Sequence, residues 1–274
     1  MSALFALLAS LIYGAADFYG GVAGRRMATV AVVFWTQLVG GVLGVVASLL
    51  FPATSVQSSD LIWGAVGGTA GTGGIYAFYQ GLARARMSVV SPVAALLSAL
   101  IPLAFGLSIG ERPTSLEWLG VLLALPAIWL VASAVHEKEG SNGGLKYGIQ
   151  AGLGFGLFFV AIAQTGDGAG FWPLVSARAA SVTLMAIGLS ILRVKLPPPG
   201  TGLLLALVGV GDIAANVFLL LAFRSGLVTL VAVLASLYPA VTVLLAVLVL
   251  KEPIAGRQRV GFALAMAAVV LMAL

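Results

Sequence analysis

Ten apolar stretches, each near the length of a membrane-crossing helix and separated by short polar connections, restrict what this chain can become. They cover approximately 2–21, 28–51, 61–83, 87–109, 116–135, 145–165, 171–192, 202–223, 226–250 and 254–274. A helix needs about 20 apolar residues to cross a bilayer. Inside hydrocarbon it also satisfies its backbone hydrogen bonds within one segment. Only 8% of the 274 residues are charged, against about 25% in an ordinary soluble domain. The sequence therefore predicts an all-α integral membrane protein with ten transmembrane helices. The last stretch is the weakest, because Arg257 and Arg259 must snorkel from its first turn.

Several function classes are disfavoured at this level. There is no cysteine, so thiol, thiolate–metal and disulfide chemistry are absent, and the one histidine, His136, sits in a charged connection. The net charge of +5 is dispersed in groups of at most two adjacent basic residues, which is no nucleic-acid surface. The N-terminal MSALFALLASLIYG lacks the basic flank of a cleaved signal and reads as a first retained span. The GVGD at 209–212 follows no clear strand and lacks the complete glycine fingerprint of a nucleotide loop. No cofactor, metal or ATP-binding motif is expected, and an enzyme embedded in the membrane is the least favoured class.

The longest charged connection falls almost at the centre of the chain. It predicts an N-terminal five-helix repeat over 1–136, a connection over 137–144 and a C-terminal five-helix repeat over 145–274. A shift of 141 residues lays GERPTSLEWLGVLLALPAIWLVA over KEPIAGRQRVGFALAMAAVVLMA, with Glu111 on Glu252 and Gly120 on Gly261. Because five is odd, the second repeat must enter the membrane with the opposite orientation. Inverted repeats of this kind recur in transporters whose substrate site lies between the repeats near the midplane.

On these features the chain resembles the ten-helix EamA-type members of the drug/metabolite transporter superfamily. The features are the two five-helix halves, the GE and KE stops after the fourth and ninth stretches, and the glycine downstream of each. The resemblance implies a transporter of amino acids, sugars, nucleotide sugars, phosphorylated metabolites or drugs, without choosing among them. It also implies a central cavity built by the first, third, fourth, sixth, eighth and ninth helices.

Charge asymmetry and the resemblance disagree about orientation. Odd-numbered connections hold Arg25, Arg26, Arg84, Arg86, Lys138, Lys146, Arg193, Lys195, Lys251, Arg257 and Arg259, whereas even-numbered ones hold Arg112 and Arg224. The positive-inside rule then places the odd connections in the cytoplasm and both termini outside. The resemblance implies cytoplasmic termini.

Glycines recur four apart at Gly40/Gly44, Gly64/Gly68, Gly67/Gly71, Gly148/Gly152 and Gly152/Gly156, which allows helix backbones to approach closely. Static packing and sliding during alternating access are both consistent with that spacing. Pro92, Pro102, Pro126 and Pro239 fall within spans, where each removes a backbone donor and favours a kink.

Three charges lie inside spans: Asp17, Arg178 and Asp212. Each costs about 2.5–3.5 kcal/mol at a helix centre and should face protein or water. Asp17 has Arg25 and Arg26 a few residues ahead, so peripheral pairing or simple hydration explains it, and it is also a candidate for substrate binding or coupling. Arg178 and Asp212 lie on consecutive helices and are expected to form a buried pair, which serves structure as readily as transport. On the 141-residue offset Arg178 falls on Gln37 and Asp212 on Gly71. Asp212 and Asn216 are four apart on one helix face and are candidates to present a carboxylate and an amide to a cavity. Asp212 is a candidate proton carrier, or a counter-ion for a substrate amine. With Arg178 adjacent, the arginine is the candidate for a substrate carboxylate or phosphate instead.

The resemblance adds Tyr13, Thr72, Tyr76, Tyr79, Phe155, Phe158 and Tyr238 as cavity candidates. Spacing alone would assign most of these aromatics to packing or interfacial belts, as it does Trp172 and Trp35. The resulting expectation is a secondary transporter, an exporter or exchanger, that moves a small polar or amphipathic metabolite by alternating access. Its partners are a small-molecule substrate, the lipid bilayer (a prokaryotic cytoplasmic membrane) and, under proton coupling, protons. A passive facilitator or pore is the alternative.

Overall fold

A computed structural model describes residues 1–84, 87–132, 144–194, 197–198, 200–251 and 254–273. Among them are eleven α-helices: α1 (Ser2–Gly24), α2 (Thr29–Leu50), α3 (Ser58–Arg84), α4 (Met87–Ser108), α5 (Ser115–Ala132), α6 (Gly144–Ala163), α7 (Trp172–Leu192), α8 (Gly202–Ser225), α9 (Val228–Ala235), α10 (Tyr238–Leu250) and α11 (Gly256–Ala273). A single 3-10 turn, Asp167–Ala169, precedes α7. His136, Lys138, Arg86, Lys195, Glu252 and most of the central connection lie outside the described residues.

Eight helical segments are long and apolar enough to cross a membrane, and α9 and α10 together form one of them. The other two expected spans are helical but fall outside that set. α3 has 27 residues, and its glycines, serines and threonines lower its apolarity. α5 is apolar beyond Glu117, but its apolar stretch, Ser115–Val131, is short. Large apolar side chains such as Leu11, Val42, Leu49, Ile62, Leu122, Leu207 and Met266 point outward. Their natural solvent is lipid, and the protein is integral to a membrane.

The ninth expected span is not one continuous helix. α9 ends at Ala235 and α10 begins at Tyr238, with Pro239 in its first turn. Proline lacks the donor that would continue α9, and it disfavours helical geometry in the residue before it. Ser236, in the break, shares a 3.0 Å hydrogen bond with Ser98 of α4. Pro92, Pro102 and Pro126 lie inside continuous helices.

Glycines allow the closest packing. A Cβ at Gly148, Gly152 or Gly156 of α6 would lie 2.8, 2.5 or 2.7 Å from Val93, Leu97 or Ile101 of α4. On another face of α6, Gly154 sits against Gly74 of α3. Gly64 and Gly68 of α3 lie directly on the backbone of α7 at Pro173 and Ala177. No side chain fits at these crossings, and dispersion over closely apposed backbones holds them.

The principal pairings are α1 with α8 and α10, α2 with α7 and α8, α3 with α6 and α7, α4 with α6 and α9, and α5 with α11. This scheme is unchanged when α1, α2, α3, α4 and α5 are exchanged for α6, α7, α8, α9–α10 and α11. Individual contacts repeat the pattern. Gly120 of α5 faces Ala268 and Met272 of α11, and Gly261 of α11 faces Leu130 and Val131 of α5.

Polar links tie together the end of the bundle where α2, α4, α6 and α8 finish. The Asp60 carboxylate accepts hydrogen bonds from the Gln57 and Gly166 amides at 2.9 and 2.8 Å. Arg224 donates to the carbonyls of Gly166 and Gly170 at 3.1 and 2.7 Å. The Glu111 carboxylate accepts from the amides of Val228 and Thr229 at 2.6 and 2.9 Å. Glu111 thus satisfies two of the unpaired donors at the start of α9, where a negative charge also suits the helix dipole.

Candidate functional site

The chemistry of the interior starts on α8, where a carboxylate is the eleventh of 24 residues. Asp212 is buried, and so are Arg178, Gln37 and Asn216. Arg178 Nη1 lies 2.7 Å from Asp212 Oδ2, and the same nitrogen donates to Gln37 Oε1. Gln37 in turn donates from Nε2 to Asp212 Oδ2 at 3.3 Å, closing a three-membered cluster. Asn216 donates to the Asp212 backbone carbonyl at 2.6 Å and more weakly to Oδ1 at 3.4 Å. Every charge in the cluster therefore has an opposite charge or a dipole facing it, which burial requires.

The pair forms by a different route from the one sequence adjacency implies. α7 and α8 do not pack extensively on one another among the described residues; α2 packs on both. Gly40 of α2 leaves space for the arginine, since a Cβ there would lie 3.3 Å from Arg178 Nε. Gln37, one turn earlier on α2, joins the two charges.

Beside this cluster is a cavity, open at its mouth, with about 620 Å³ of space between atoms when that open part is counted. Its wall contains ten of the twelve residues singled out from the sequence: Tyr13, Asp17, Gln37, Thr72, Phe155, Phe158, Arg178, Asp212, Asn216 and Tyr238. α1, α2, α3, α6, α7, α8 and α10 contribute to it. A concave, mostly apolar space with a few convergent polar groups is the usual form of a small-molecule site.

Tyr76 and Tyr79 are not in that wall. Tyr76 accepts a hydrogen bond from Gln80 one turn later. Tyr79 is buried between α3 and α1, with its ring and hydroxyl filling the space that Gly20 leaves. The two tyrosines are three apart, and on a glycine-rich helix that packs on several neighbours, sequence spacing did not show which face opens to the cavity.

For Asp17 the peripheral pairing with Arg25 or Arg26 does not form. Asp17 lines the cavity and makes no hydrogen bond or ion pair, with Arg25 and Arg26 or otherwise, among the described residues. The arginines are exposed past the end of α1.

Ser181, Ile75 and Phe159 line the cavity without having been singled out. Ser181 lies three residues after Arg178 on α7 and shares a 2.6 Å hydrogen bond with Thr72 of α3. Its spacing from Arg178 was the available signal. Gly71, the offset counterpart of Asp212, is also in the wall, against the ring of Phe158.

Comparison with known proteins agrees with this architecture. The model of the EamA-like transporter family matches residues 1–133 and matches again over 142–274. A solved structure described only as "Crystal structure of protein" is similar in fold, with a TM-score of 0.73 at 21% identity. The likeness covers 98% of this chain and 95% of that one. No curated protein matches the chain. With two family matches that together take in nearly all of a lipid-embedded helical bundle, the chain belongs to the EamA-like transporter family.

Proposed function

We propose that the protein is a secondary transporter of ten membrane helices in two inverted five-helix repeats. It moves a small polar or amphipathic metabolite by alternating access. The observation that carries this reading is the cavity between the halves, with a buried, hydrogen-bonded Arg178–Gln37–Asp212 cluster in its wall. The packing supports inversion. The contact of Gly120 with Met272 and that of Gly261 with Val131 map onto each other by the 141-residue offset. Each joins the early part of one helix to the late part of the other, so α5 and α11 run antiparallel. A twofold relation between antiparallel helices needs an axis perpendicular to them, which lies in the membrane plane.

The arrangement redistributes the roles within the site. Asp212 is the counter-ion of Arg178, so it is a poor choice for a free proton carrier, and the unpaired carboxylate in the cavity is Asp17. The cluster would hold α2, α7 and α8 in register while the cavity changes its exposure. The lack of a nucleotide-binding motif in the sequence favours gradient-driven transport or exchange over ATP hydrolysis, and export is the direction proposed.

Reconstitution into liposomes tests this reading. Counterflow against a mixed metabolite panel should be saturable and stimulated by internal substrate. Flux that rises linearly with concentration, with no stimulation across the membrane, would identify a passive pore instead. Uphill uptake that persists after the pH gradient is collapsed would remove proton coupling.

A further inference from the structure

The cavity wall holds one carboxyl group, that of Asp17, without a partner among the described residues. Arg178 and Asp212 neutralise one another, with Gln37 bonded to the same Nη1 and Oδ2 atoms and Asn216 weakly on Oδ1. Asp17 lines the same space with no partner of either kind among the described residues. Arg178 has two further donors, Nε and Nη2, both buried without a hydrogen-bond partner. Its Nε lies in the crevice beside Gly40. Among the described residues, the acidic group left free to meet an occupant is therefore the Asp17 carboxyl, which a bound cation would hold in its ionised form. Around it stand the rings of Tyr13, Phe155, Phe158, Phe159 and Tyr238, with the hydroxyls of Tyr13 and Tyr238 unpartnered. A cation is attracted both by a carboxylate and by aromatic faces, whereas an anion is repelled by both.

From this we infer that the cavity takes an organic cation, an amine or quaternary ammonium compound with an apolar body, and that Asp17 is its counter-ion. The inference deepens the transporter reading by naming the class of substrate, and it rests on that reading only for the consequence that the cation is moved. The hydrogen-bonding hydroxyls select against a purely apolar compound, and the rings accommodate its hydrocarbon part.

Equilibrium binding to the purified full chain in lipid nanodiscs tests it, independently of flux. Three probes share a phenyl ring and differ in charge: benzyltrimethylammonium, 3-phenylpropionate and phenylalanine. The expected order is cation first, zwitterion second and anion last. Asp17→Asn should weaken the cation by about tenfold or more, as loss of one partner of a desolvated charge pair does. Asp17→Glu should retain it. Equal or tighter binding of the zwitterion or the anion overturns the proposal. So does binding of none of the three, or an unchanged cation affinity in Asp17→Asn. The wild-type ranking needs no variant to fold. Cation binding without flux in liposomes would defeat the transporter reading alone, and saturable exchange of anions without cation binding would defeat this inference alone.

Discussion

Arg178 donates a hydrogen bond to Gln37, the residue 141 positions before it, so the buried arginine is held by its own offset counterpart in the first half. Two self-related positions meet where α2 and α7 cross. The first half supplies an amide there and the second a cation, and that difference draws Asp212 of α8 onto the same point. A pseudo-symmetric crossing has become a polar cluster because one of its two copies carries charge.

Removing one member of the cluster should cost more than removing both charges. Asp212→Leu leaves Arg178 buried and unpaired, with an expected loss of about 3–5 kcal/mol, the usual penalty for an orphaned buried charge. The double variant Arg178→Met/Asp212→Leu should recover most of that loss. Thermal unfolding in nanodiscs decides it. A double variant no more stable than the single one would show that the pair contributes beyond mutual neutralisation.

Glu111 should act as a clasp between the two halves. Its carboxylate accepts from the first two amides of α9, at 2.6 and 2.9 Å. Glu111→Ala should destabilise the start of that helix by about 1–2 kcal/mol, the range for a lost helix cap. Hydrogen exchange followed by mass spectrometry should then show faster exchange at Val228 and Thr229. Unchanged protection there would remove the clasp.

The glycine crossings predict a sharp contrast between two substitutions on one helix. A Cβ at Gly68 would collide with the backbone of Ala177, whereas one at Gly73 meets nothing within 4 Å. Gly68→Ala should cost about 1–3 kcal/mol or more, because α3 and α7 must separate. Gly73→Ala should be neutral or stabilising by up to about 1 kcal/mol, since alanine is the better helix former. Equal melting temperatures for the two variants would show that the α3–α7 crossing adapts freely.

Orientation is open to a direct test, because the chain contains no cysteine to interfere. The positive-inside rule expects the connections rich in arginine and lysine in the cytoplasm. Ser115→Cys, at the exposed start of α5, should therefore react with an impermeant thiol reagent on intact cells. Gly256→Cys, exposed at the start of α11, should react only after permeabilisation. The reverse pattern would place both termini in the cytoplasm.

The sequence by itself determined the solvent of this protein, its helical class, the repeat offset and which charges lie within the spans. Those follow from quantities summed along the chain: a long apolar run has few alternatives to a membrane helix, and an isolated charge within one must face protein or water. Tertiary structure decided which faces turn inward. Tyr79 packs on Gly20 while Thr72, seven residues earlier, reaches the cavity, and hydropathy does not separate them because lipid-facing and helix-facing surfaces are both apolar. It also decided that Arg178 reaches Asp212 over α2, rather than through direct packing of consecutive helices. Asp17 was left as the free carboxylate. Such choices depend on distances between segments far apart in sequence, and the closeness of those segments is set by where the glycines allow backbones to touch.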